Sequence, residues 1–119
     1  MTDYRDIESR ADIDQLLVGF YERLLGHDLM TPIFKEIDLG AHLPRIADFW
    51  ESILFQRPTY SGSAFTAHEE LVLTLEHFDI WLAEFESTLD SMFRGVLADQ
   101  AKTRANAVAS IFKSKMKLT

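Results

Sequence analysis

The chain has no cysteine among its 119 residues, which removes disulfides, thiolate zinc sites, cysteine-bound iron–sulfur clusters and thiol nucleophiles together. Any metal has to be held by His, Asp, Glu or a cofactor. Basic residues are few, 12 Lys and Arg against 19 Asp and Glu, and the net charge of −7 gives a field that repels nucleic acid and anionic membranes. No stretch approaches the roughly 18 consecutive apolar residues of a membrane span. The first residues, Met1-Thr2-Asp3-Tyr4-Arg5-Asp6, contain no apolar signal core, so a cytoplasmic protein is the default. Proline (three) and glycine (five) are sparse, and no linker, repeat or low-complexity segment breaks the chain. The expectation is a single domain over 1–119, and 47% hydrophobic content suffices for one core.

Alternation of β-branched residues is missing and apolar residues recur at helical spacing. Asp12 with Gln15 reads as a capping box, after which Ile13, Leu16, Leu17, Phe20 and Leu24 form one face until Gly26 stops the helix. Thr31-Pro32 predicts a cap and a single short turn. After a tight corner at Leu39-Gly40, Leu43, Ile46, Phe49, Trp50, Ile53 and Leu54 mark a second helix running to Phe55. Pro44 is tolerable there only in the first turn. Gln56 to Ser63 reads as a loop, and Phe65 to Leu71 as one or two helical turns. Thr74 caps a long helix with Phe78, Trp81, Leu82, Phe85, Leu89 and Phe93 on its face and Gly95 near its end; Val96 to Met116 forms the last helix. Lys113, Lys115 and Lys117 close it, where they complement the helix dipole. The fold class is all-α, with four substantial helices and short turns.

Aromatics are what this chain has in excess: nine Phe, three Tyr and two Trp exceed what a small bundle needs unless they also line a pocket. His42 precedes an aromatic helix and His68 follows the Tyr60-Ser61-Gly62 turn, 26 positions later. Two histidines set among Phe, Trp and Leu suit a large apolar cofactor carrying a metal better than a bare ion. A non-haem site from His42, His68, Glu69 or Glu70 is disfavoured, because paired Glu-x-x-His on facing helices is absent. His77, beside Phe78 in the long rigid helix, reads as structural or solvent-facing, and His27 as a helix-end residue.

Phe20-Tyr21, Pro32-Ile33-Phe34, His42 through Phe49-Trp50, Tyr60-Ser61-Gly62, His68 and Phe78-Asp79-Ile80-Trp81-Leu82, in this order and spacing, resemble the truncated haemoglobins, specifically group III. The paired-glycine signatures of the other groups are missing. The resemblance implies a two-over-two helical sandwich holding haem b, with His68 rather than His77 as the proximal iron ligand. It implies Tyr21, His42 and Trp81 on the distal side around the bound gas, and Phe34, Ile46, Phe49 and Trp50 as haem walls. Haem carboxylates need cations at the pocket mouth, and Arg45 is the first candidate, ahead of Tyr60, Lys35 and Arg57.

Tyr21, Trp81 and His42 offer an O–H, an indole N–H and an imidazole N–H, and donors that face a bound gas hold it. Two of them at about 1.5 kcal/mol each slow release roughly a hundredfold, too firm a hold for oxygen transport. The chemistry to test is then nitric oxide oxidation by bound oxygen, or reaction with peroxide or peroxynitrite. Sustained turnover of that kind needs a separate reductase, since the chain carries no flavin or nicotinamide motif. Expected ligands are O2, NO and CO, and a monomer is the simplest assembly. The alternative is a cofactor-free helical interaction or sensor domain.

Overall fold

The computed structural model describes residues 4–35, 37–58 and 73–118. Within them lie α1 (Arg10–Leu25), α2 (Thr31–Phe34), α3 (Leu39–Leu54), α4 (Leu75–Met92) and α5 (Val96–Lys115), and no strand occurs among the described residues. Helix α1 packs on α3 and α4, α4 packs on α5, and α3 touches α5, the contact pattern of a two-over-two sandwich.

Each start signal can be traced to a donor left open at a helix end. The first helix begins three residues earlier than the Asp12 box predicts: Ser9, in extended backbone, is the cap, and its Oγ accepts the Asp12 N–H at 3.4 Å. Asp12 instead takes the guanidinium of Arg5 at 2.5 and 2.7 Å and the Glu8 N–H at 2.8 Å. The hydrogen bonds from Arg5, ahead of the cost of burial, pull its carboxyl down to about 2. Gly26 does end α1, in right-handed backbone. Thr31 is not a cap either: Met30 occupies that place, and the Thr31 hydroxyl donates to the carbonyls of His27 (2.9 Å) and Leu25 (3.1 Å).

The corner predicted at Leu39-Gly40 is already helix. Asp38 caps α3, with its Oδ1 accepting from the Gly40 N–H at 3.0 Å, which puts Pro44 at the sixth residue, beyond the first turn. A proline there removes one intrahelical bond. Arg10 of α1 braces this turn, donating to the Pro44 carbonyl at 3.2 Å and to Asp48 at 2.8 Å.

Thr74 caps α4 as its sequence predicts. Gly95 is the residue that opens α5, not the end of α4, and it brings no side chain to cap with. The cap comes from 91 residues away: Asp6 accepts the N–H groups of Leu97 (2.8 Å) and Ala98 (2.9 Å). Gly95 sits at φ +151°, and a Cβ there would lie 2.4 Å from Asp6 Cγ, so only glycine allows the strap to cross.

The core lies where α1 meets α4. Phe20 and Phe85 stand edge to face at 5.1 Å, with Leu16, Leu17 and Leu89 closed off around them. Burying either ring is worth about 2–3 kcal/mol. Ala98, Ala101, Ala105 and Ala109 form the inward stripe of α5, small enough for close helix approach. No helix among the described residues is long and apolar enough to cross a membrane.

Candidate functional site

Not all the inward-facing aromatic surface is packed against protein. Between α3 on one side and α4 with α5 on the other, with α2 and the second half of α1 closing the back, lies a cleft. It encloses a cavity volume of about 150 Å³ and opens to solvent at its mouth. Apart from a few polar groups its lining is aliphatic and aromatic, the composition of a small-molecule site.

Three stacked rings make one wall firm. Phe85 lies flat against Trp50 (5.1 Å, 18°) and against Trp81 (5.7 Å, 6°), and Phe20 meets Trp81 edge-on at 5.8 Å. Because Phe85 is fully buried and both tryptophans border the cleft, the core itself holds the rings that face the open space. Phe34, Ile46 and Phe49, which the resemblance implies as walls, also line the cleft.

Tyr21 projects from α1 among Phe20 (5.2 Å), Phe34 (5.5 Å) and His42 (6.3 Å), each ring meeting it edge to face. Burial pushes its hydroxyl pKa well above the ordinary tyrosine value, so the group remains a protonated donor across the working pH range. It makes no hydrogen bond among the described residues, yet none of their fully buried side-chain oxygens is left without a partner; the Tyr21 hydroxyl therefore opens on the cleft. The Trp81 indole N–H is likewise without a partner among the described residues and borders the same space. His42, fourth residue of α3, lies half-buried beside Tyr21.

Arg45 follows His42 by almost one turn, is exposed, borders the cleft and makes no ion pair among the described residues. Arg57, a weaker candidate, is occupied elsewhere, 3.7 Å from Glu51 and over the Phe55 ring at 5.2 Å. Tyr60 and His68 lie outside the described residues, as do Glu69 and Glu70. No group of three His, Asp or Glu able to hold an ion occurs among the described residues.

Helical periodicity shows which face turns inward, but not whether that face meets protein or open space. Phe78 and Phe112, expected as ordinary core, therefore join the lining unannounced, with Met30, Ile37, Leu73 and Val108. His77 also borders the cleft while serving α4 as a cap: its Nδ1 accepts the Thr74 backbone N–H at 2.8 Å, and Thr74 Oγ1 accepts the His77 backbone N–H. An amide N–H can only donate, so a neutral His77 carries its proton on Nε2 and has no lone pair there for a metal.

The group implied by the resemblance is tested by this chemistry. A flat, largely apolar macrocycle bearing carboxylates needs aromatic and aliphatic walls, a cation at the mouth, and no charge inside. The cleft has such walls, Arg45 at its edge, and neutral donors within, so the residues present fit haem.

No family model matches the chain. It is 26% identical over 113 residues to the Group 3 truncated hemoglobin of Campylobacter jejuni, spanning 89% of each sequence. The crystal structure of a group III truncated hemoglobin from Campylobacter jejuni superposes with a TM-score of 0.84 at 25% identity, covering 95% of this chain and 94% of that one. A truncated oxygen-avid haemoglobin from Bacillus subtilis shares the fold at TM-score 0.78 and 24% identity, over 87% of this chain and 92% of its own. The fold is thus that of the truncated globins, and the resemblance to group III truncated haemoglobins runs through both sequence and backbone over nearly the whole chain.

Proposed function

We propose that this chain is a single-domain truncated haemoglobin of group III that binds haem b in the cleft and holds a diatomic gas there. The observation that carries the reading is the Tyr21 hydroxyl, opening without a hydrogen-bond partner among the described residues into an aromatic cleft of a truncated-globin fold. Haem would supply an iron atom that takes O2, NO or CO. His68 is the proposed iron ligand, on the strength of its place in the resemblance, and the tautomer of His77 disfavours that histidine for the role. Arg45, on the cleft edge, would meet a haem carboxylate, with Tyr60 as a further proposed contact; Phe34, Ile46, Phe49 and Trp50, which line the cleft, would exclude water from the faces of the ring.

On the gas side Tyr21 and Trp81 donate, and His42 stands beside Tyr21 as a third polar ring. Donors fixed before the ligand arrives cost no reorganisation when it binds, and two at about 1.5 kcal/mol each slow its release roughly a hundredfold. Slow release suits reaction with nitric oxide or reactive oxygen species better than oxygen transport. A separate reductase would complete such a cycle in a monomeric, cytoplasmic protein. Stopped-flow measurement of O2 release from the haem-loaded chain and from Tyr21→Phe tests this: the account expects release about tenfold faster in the variant, and equal rates would refute the donor role.

A further inference from the structure

The cap of α4 does more than finish a helix. In the usual box a Glu or Gln at the third helical position reaches back to the cap N–H. Here that acceptor is His77 Nδ1, 2.8 Å from the Thr74 N–H, and the ring so held is half-buried on the border of the cleft. Accepting at Nδ1 obliges the neutral ring to carry hydrogen on Nε2. No described residue takes that hydrogen, since His77 has no bond beyond those to Thr74. A histidine used only as a cap could turn its second nitrogen wholly to water. This one borders an apolar space whose other cationic or imidazole groups among the described residues, His42 and Arg45, stand on α3.

Resting on the haem reading above, we propose that His77 is a positioning residue: its Nε2–H, fixed in direction by Thr74, donates to a carboxylate of the bound haem. Arg45 from α3 and His77 from α4 would then hold the anionic edge from the two walls, and the cap would set how the ring is seated. A charge-assisted hydrogen bond of this kind is stronger than a neutral one and depends on geometry that a free surface side chain lacks.

The test compares haemin with haemin whose two carboxylates are methyl esters, each loaded into the full chain, and follows transfer to an excess of an acceptor apoglobin. His77→Glu is the informative variant, because Thr-x-x-Glu is itself a capping box and keeps the acceptor for the Thr74 N–H while removing the donor. His77→Ala removes both. The expected result is that either variant loses haemin about tenfold faster than the unmodified chain, while the ester leaves all three proteins at the same rate. Equal acceleration with both forms would assign His77 a purely structural role and overturn the proposal, as would no acceleration with haemin; in either case haem binding itself stands. Failure of the unmodified chain to take up haemin would overturn the haem reading and this proposal with it. Nitrogen NMR of the apo-protein gives a readout free of the cofactor: Nε2 protonated with Nδ1 bare is expected, and the opposite tautomer overturns the proposal.

Discussion

The two ends of α1 are finished in opposite ways. At its start the strap formed by Arg5 and Asp6 meets Asp12, Leu97 and Ala98 through short polar contacts, and the one side chain that would obstruct the crossing is absent at Gly95. Near its other end Tyr21 brings a hydroxyl into an apolar cleft and leaves it without a partner among the described residues. Both arrangements place a polar group among buried neighbours. The first ties its polar groups into the fold; the second leaves a donor unused among the described residues. A polar group left unanswered at a site built by the core is a mark of binding, because in a purely structural place it would only destabilise.

Phe85→Ala should have the largest effect and should erase the contrast, since this ring supports the core and also the two tryptophans facing the cleft. We expect a loss of about 3–5 kcal/mol in denaturant unfolding, with weaker haemin binding by the folded fraction. Gly95→Ala attacks only the strap end. Its new Cβ meets Asp6 in backbone that disfavours side chains, and about 3 kcal/mol should be lost with haemin affinity of the folded protein unchanged.

Asp12→Asn is milder, about 1 kcal/mol at neutral pH, because Arg5 is half-exposed and water screens part of the pair. Its carboxyl lies below the usual range in the folded protein, so the contribution is present above the ordinary Asp value of about 3.9 and is lost as pH falls toward about 2. Unfolding curves of the two proteins should therefore converge on acidification. Tyr21→Phe sharpens the comparison from the other side: the apo-protein should unfold within about 0.5 kcal/mol of the parent, because no hydrogen bond among the described residues is lost, while gas release changes.

The sequence carries the long helices because their signals are local. The Thr74 cap and the Phe78–Phe85–Leu89 face of α4 sit within a few residues of what they organise. Composition points only to a pocket somewhere, through an excess of large rings; it is the resemblance to truncated haemoglobins that names Phe34, Phe49, Trp50 and Trp81 as its lining. What escaped was long-range or shared. Asp6 capping α5 across 91 positions leaves no local trace, so the start of α5 at Val96 is legible but the residue that caps it is not. Ser9 and Asp12 are both competent caps, and the choice falls to Ser9 because Arg5 holds Asp12. Pro44 is braced in the second turn by Arg10, a residue of another helix. His77 acts as cap and cleft border at once, and a residue with a sufficient local role shows no sign of a second one.

A haemin titration followed by absorption, on the unmodified chain, His68→Ala and His77→Ala, addresses the central claim most directly. The account predicts one haemin per chain with a strong Soret band that is lost or reshaped in His68→Ala and kept in His77→Ala. Absence of stoichiometric binding by the unmodified chain, or a band abolished by the His77 change and untouched by the His68 change, would contradict it.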